Sequence, residues 1–208
     1  MKNTWVVAIT GASGMVYARR VLEILNRQNC RIHLTVSRAA AEVIQQELAT
    51  SIDLGNEESV RLALGFLSAE NITYYDYEDI TAPIASGSFP VDGMLIIPCS
   101  MGTVGSIASG ISGNLIERAA DVALKEKRPL ILLPRETPLN IIHLDNLLKL
   151  ARAGATILPA MPAFYHHPQK LEDLIDFVAF KVVSQMGIRL PEADRYQYQK
   201  ITENTEPE

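Results

Sequence analysis

Trp5-Val6-Val7-Ala8-Ile9-Thr10-Gly11-Ala12-Ser13-Gly14, residues 5–14, is a β-branched apolar run that stops at a cluster of small residues. Val16, Val21, Leu22 and Leu25 then recur at helical spacing. An unbroken apolar run of strand length followed by a 3.6-residue period reads as strand, tight turn, helix. Residues 31–36 repeat the strand pattern, and Ser37 supplies an N-cap for a helix through about Leu48, because its hydroxyl can accept from the free first-turn amides. Two strands joined through a helix make a βαβ unit, which sets the sheet as parallel.

Working outward, residues 49–70 are expected to be helical with weak patterning, 72–75 a strand, and 82–90 a Pro/Gly/Ser-rich loop. Residues 93–97 and 130–133 are continuous apolar runs, as strands covered on both faces require, and 155–158 is a shorter candidate. Thr137-Pro138 reads as an N-cap with a first-turn proline for a helix to about Arg152, and Leu171, Leu174, Ile175, Val178 and Val182 stripe a last helix. The fold class is therefore α/β, a doubly wound, mostly parallel sheet with helices on both faces, a Rossmann-like or flavodoxin-like three-layer sandwich. Its ligand belongs beyond the strands' carboxyl ends. Residues 1–188 are read as one domain and 189–208 as a polar tail that reaches a neighbouring subunit.

Bulk properties exclude several classes. The 208 residues carry 19 basic and 24 acidic groups without a run of like charge, so a nucleic-acid footprint is absent. Cys30 and Cys99 are too few for a disulfide framework and neither has metal-ligand spacing, which favours a reducing compartment. The first residues do not read as a signal peptide and no apolar stretch approaches 18 residues, so a cytoplasmic protein without membrane insertion is expected.

The turn at residues 11–14 puts small residues and a hydroxyl at a helix start, where amides can hold a phosphate. It fails the dinucleotide fingerprint: Val16 stands where a third glycine belongs, and Thr35-Val36-Ser37 lacks the acidic residue that grips a ribose. A second turn, Pro98-Cys99-Ser100-Met101-Gly102-Thr103, follows another apolar strand, so two strand ends can converge on one mononucleotide, and FMN fits. Either turn alone reads equally as a plain connection.

Five ordered segments carry a more specific signal: Thr10-Gly11-Ala12-Ser13-Gly14; Pro98-Cys99-Ser100-Met101-Gly102-Thr103; Asn114-Leu115-Ile116-Glu117-Arg118-Ala119-Ala120-Asp121-Val122-Ala123-Leu124-Lys125; Pro134-Arg135-Glu136; and residues 154–168. Together they resemble the UbiX-type flavin prenyltransferases over nearly the whole chain. The resemblance implies a metal-independent enzyme that joins the dimethylallyl group of dimethylallyl phosphate to N5 and C6 of reduced FMN. The prenylated FMN would serve a partner UbiD-type decarboxylase in ubiquinone biosynthesis or related pathways. It implies FMN contacts at Gly11, Ala12, Ser13, Ser37, Ser100, Met101, Gly102, Thr103 and Arg135. Tyr165 and Lys181 are implied on the prenyl phosphate, joined by Ser86, Arg118 and Lys125. Ser13, Glu47 and Glu136 are implied to support catalysis. A homo-oligomer, commonly a dodecamer, with its site between subunits is implied too, and the small residues from 105 to 113 suit close chain approach.

Residue chemistry is compatible with that reading without requiring it. Arg118 and Lys125, seven apart on one helix face, aim two cations at one anion, or form an ordinary paired surface with Asp121 and Glu117. No DDxxD segment exists to bind a diphosphate through magnesium. Glu136 suits a proton acceptor, or an ion pair with Arg135. Tyr165 follows a restrained Pro-rich loop and offers a phenol, or a buried tyrosine satisfied by backbone. His166 and His167 lack zincin spacing, and His143 reads as structural. Three positions depart from the family: Lys181 where arginine is common, and Ile80 and Tyr196 where some relatives carry tryptophan. The alternatives are an FMN-dependent cysteine decarboxylase and a non-catalytic FMN carrier.

Overall fold

The computed structural model describes residues 3–66 and 70–196, except for the side chain at 195. Residues 197–208, most of the tail expected to meet a neighbour, lie outside the described residues. In chain order the elements are β1 (Thr4–Ile9), α1 (Met15–Arg27), β2 (Arg31–Val36), α2 (Arg38–Leu48), α3 (Glu57–Ala63), β3 (Ile72–Asp76), β4 (Gly93–Cys99), α4 (Met101–Ala108), α5 (Leu115–Lys125), β5 (Leu130–Pro134), α6 (Ile141–Arg152), β6 (Thr156–Ile157) and α7 (Leu171–Gln185). Short 3-10 helices occur at Pro83–Ala85 and Pro191–Tyr196.

The strands form one sheet in the order β3-β2-β1-β4-β5-β6, with every neighbouring pair parallel. Winding starts at β1 and moves outward to β3, then restarts at β4 and moves outward to β6. Between β1 and β4 the following loops diverge to opposite faces, which opens a crevice at the carboxyl ends of the strands.

Alternation along each strand feeds two cores. Val7 and Ile9 of β1 pack with α1, α2 and α7, whereas Val6 and Ala8 pack with α4, α5 and α6. All seven residues of β4 are buried. This is why the central strands read as continuous apolar runs rather than alternating ones.

Side chains fix the helix starts. Ser37 accepts from the Ala40 amide at 3.2 Å and opens α2, as its position predicts. Three expectations need correction. Among the described residues of 49–70, only Glu57–Ala63 is helical: Ala49, at φ 50, ends α2, and the Asn56 carboxamide restarts the chain by accepting from the Glu58 and Ser59 amides. Helix α6 begins at Ile141, not at Thr137-Pro138, because Asn140 caps it by accepting from the His143 amide at 2.9 Å. Leu171, counted in the apolar stripe of the last helix, is 67% exposed, whereas Val178 and Val182 of that stripe are buried together with Ala179 and Val183.

Candidate active site

Thr10 ties the two central loops together. Its hydroxyl donates to the Pro98 carbonyl at 2.9 Å and accepts from the Ser100 amide at 2.8 Å, and the residue is 2% exposed. On one side the Ser37 amide donates to Ile9 O, and on the other the Arg135 amide donates to Cys99 O. Ser37, Thr10, Ser100 and Arg135 thus stand in a row across the ends of β2, β1, β4 and β5. Gly11 lets the first loop lie against α2: a Cβ there would come within 2.5 Å of Ala39 Cβ, a contact no side chain can make.

The start of α1 is already occupied by an anion. Glu47, from the end of α2, accepts from the Gly14 amide at 3.0 Å and the Met15 amide at 2.8 Å, and its carboxylate also bonds the Ser13 hydroxyl. Desolvation pushes the Glu47 pKa up, but the Ser13 hydroxyl, the two amides and the nearby charge of Arg135 outweigh it, and the net shift is downward. At the 11–14 turn, read as able to hold a phosphate, a second anion at the Gly14 and Met15 amides would meet a carboxylate. The sequence signal for Glu47 lay only in the family likeness, since its contacts span 33 residues.

The start of α4 is open instead. Ser100 caps it by accepting from the Thr103 amide at 3.2 Å and lies 3.0 Å from the Thr103 hydroxyl. First-turn amides such as those of Met101 and Gly102 have no acceptor within their own helix. Met101 buries its side chain in the core, leaving its main chain for a ligand, and above Gly102 nothing but Ser100 Oγ lies within 4 Å of a Cβ position. Ala12 is also buried, so it too offers backbone rather than side chain. Arg135 and Glu136 are exposed beyond β5. Among the described residues no ion pair joins them; Glu136 Oε1 accepts from the Thr137 amide at 3.0 Å.

The remaining candidates divide into two groups that one chain keeps apart. Arg118 and Lys125 sit on α5, in the α4–α5–α6 layer, where Arg118 Nε donates to the Ala85 carbonyl beside Ser86. Both cations are also paired, Arg118 with Asp121 at 3.1 Å and Lys125 with Glu126 at 2.5 Å. Lys125 ends α5 just before β5 begins, so it lies at the end of the sheet opposite to Arg135. Tyr165 and Lys181 are in the other layer, lining an open cleft of ≈ 400 Å³ with Phe177, Phe180 and Tyr196. There the Tyr165 hydroxyl donates to the Tyr196 carbonyl at 3.2 Å. Of the two positions without tryptophan, Tyr196 is buried at this cleft, whereas Ile80 is 58% exposed elsewhere.

Two features were missed in the sequence. Asp176, inside the apolar stripe of α7, is 7% exposed and pairs with Arg20 of α1 at 2.5 Å; a lone acid in such a stripe was the available signal. Arg128, which followed no motif, donates to two carbonyls of the loop that carries Ser86. Among the described residues no group of three or more His, Cys, Asp and Glu is placed to hold a metal ion, and no helix is long and apolar enough to cross a membrane.

Comparison with known proteins places this geometry in context. The family described as Flavoprotein matches residues 1–183. A flavin prenyltransferase UbiX of Halalkalibacterium halodurans is 49% identical over 187 residues, covering 90% of each chain. A crystal structure of AnUbiX (PadA1) in complex with FMN and dimethylallyl pyrophosphate is 37% identical with a TM-score of 0.82, covering 98% of this chain and 100% of that one. A dodecameric FMN-dependent UbiX-like decarboxylase from Escherichia coli O157:H7 is 38% identical with a TM-score of 0.83, covering 95% of this chain and 100% of that one. Sequence and overall fold agree, and the chain belongs to the flavoprotein family and, within it, to the UbiX-type flavin prenyltransferases.

Proposed function

We propose that this enzyme transfers the dimethylallyl group of dimethylallyl phosphate to N5 and C6 of reduced FMN, releasing phosphate and prenylated FMN. The observation that carries the reading is the row of hydroxyls and main-chain donors at the ends of β2, β1, β4 and β5, ending in Arg135, in a chain 49% identical to a flavin prenyltransferase over 90% of its length.

The donor set fits a mononucleotide. Amides of Met101 and Gly102 and the charge of Arg135 suit one phosphate. Ser37, Ser100 and Thr103 suit its oxygens or the ribityl hydroxyls: as a cap Ser37 accepts and keeps a proton to donate, and the mutually bonded Ser100 and Thr103 hydroxyls use one proton between them and keep the other. Gly11, Ala12 and Ser13 leave main chain and one hydroxyl to line the flavin. Reduced FMN supplies the nucleophilic atoms, and the protein's task is placement and charge.

Breaking an allylic C–O bond leaves negative charge on the departing phosphate, so fixed cations and hydroxyls there lower the barrier. Ser86, Arg118, Lys125, Tyr165 and Lys181 take that role. Glu136 accepts the proton released when the flavin carbon is substituted. Glu47, held ionised by Ser13 and two amides, places a fixed negative charge beside the reacting edge, where it favours developing positive charge.

Because Ser86, Arg118 and Lys125 lie in a different layer from Tyr165 and Lys181, the phosphate subsite is proposed to close only between copies of the chain. An uncovered apolar face on α6, with Ile141, Ile142, Leu144 and Leu148 between 47% and 68% exposed, supports self-association. A dodecamer like the Escherichia coli relative, cytoplasmic residence and a UbiD-type decarboxylase as recipient of the product complete the reading.

The test is to mix protein, FMN, dithionite and dimethylallyl phosphate without oxygen and weigh the extracted flavin. A C5H8 increment with wild type, lost in Lys181→Ala, is the expected result. FMN binding with no increment from this donor or from dimethylallyl diphosphate would leave a carrier or a cysteine decarboxylase, and turnover of a cysteinyl thiol would separate those two.

A further inference from the structure

Arg128 is a cation without an assigned role that bonds the loop carrying Ser86. Its guanidinium donates to Gly87 O at 2.6 Å and Phe89 O at 2.9 Å, while Arg118 Nε donates to Ala85 O at 3.2 Å. The other hydrogen bonds described for the loop at 85–89 are local, such as Phe89 N–H to Ser86 O and Ser88 N–H to Ser86 Oγ. Among the described residues, side-chain hydrogen bonds from outside the loop come only from these two arginines. The loop also lies tight against the end of α5, since a Cβ at Gly87 would come within 2.7 Å of Lys125 Nζ and closer still to Glu126 Oε1.

Arg128 itself is rigidly rooted. Its amide donates to Ala123 O at 2.8 Å, closing α5, and the carbonyl of Pro129 accepts from the Met94 amide at 2.8 Å, starting the pairing of β5 with β4. A planar guanidinium can bridge two carbonyls in fixed geometry, which an ammonium cannot. We propose that Arg128 is a positioning residue that holds Ser86 in register with Arg118 and Lys125. The inference rests on reading those three as ligands of the prenyl phosphate.

The experiment measures KM for dimethylallyl phosphate, kcat and FMN affinity under anaerobic conditions for Arg128→Lys, Ser86→Ala and the double variant, with thermal unfolding to confirm folding. Arg128→Lys keeps the charge and removes the planar fork that bridges the Gly87 and Phe89 carbonyls. It is expected to raise KM about three- to tenfold with FMN affinity unchanged. In the Ser86→Ala background the same change should add almost nothing, since the clamp acts through that hydroxyl; two additive effects would mean a general structural role and overturn the proposal. If Ser86→Ala raises KM and Arg128→Lys does not, the positioning role falls while the subsite reading stands. If Ser86→Ala, Arg118→Lys and Lys125→Met all leave KM unchanged, the subsite reading itself fails.

Discussion

Thr10 and Lys181 mark two ways in which this chain holds polar groups. Thr10 is 2% exposed and bonded on both sides of the crevice, so its geometry is settled by the fold of one chain. Lys181 is exposed on α7 with no ion pair among the described residues, and of the other groups proposed for the same phosphate Tyr165 shares its cleft while Ser86, Arg118 and Lys125 lie across the sheet. A flavin crevice can be completed by local capping and strand pairing. A pocket whose parts sit in two layers needs a second surface, and its contacts stay open until that surface arrives.

The sharpest way to break this contrast is Glu136→Gln, which should lower kcat by roughly 10²–10⁴ while FMN affinity holds, because it removes a proton acceptor and no crevice contact. Rapid-quench flavin mass measurements check it; an equal loss of FMN binding would merge the two regions. Next in size, Gly11→Ala should cost about 1–3 kcal/mol of stability and weaken FMN binding, since the added methyl meets Ala39. Calorimetry with and without FMN reads both.

A smaller effect sharpens the other side. Lys181→Arg restores a planar fork and is expected to lower KM for dimethylallyl phosphate by roughly two- to fivefold, leaving FMN affinity alone. The smallest concerns pH. Glu47 has a folded pKa below its unfolded value, so its stabilising contribution is present above the ordinary carboxylate range and is lost as pH falls through the lower folded value. Glu47→Gln should therefore lower stability near neutrality and flatten the acid limb of the stability curve, the variant and wild type converging as pH falls through the folded value, measured by unfolding at stepped pH.

Legibility followed the range of the interaction. Strand β2 and the Ser37 cap were readable because a continuous apolar run and an N-cap hydroxyl act within a few residues. Helix α6 was misplaced by three residues at its start because Thr137-Pro138 and Asn140 are both good local signals, and only the observed His143 amide bond selects the second. For the site, the small residues and hydroxyls of the two turns were visible, whereas Glu47 was marked only by the family likeness and its place at the first helix start, 33 residues away in sequence, was not.

The sequence by itself determined the sheet, the crevice and the class of ligand, since burial patterns, caps and small-residue turns are set by neighbours along the chain. Tertiary structure alone decided that Glu47 takes the first amides of α1, that Arg128 clamps the Ser86 loop, and that the two sets of groups proposed for the prenyl phosphate fall on opposite faces of one sheet. Those outcomes depend on which distant backbone groups meet, and that is fixed only when the strands have paired and the helices have packed.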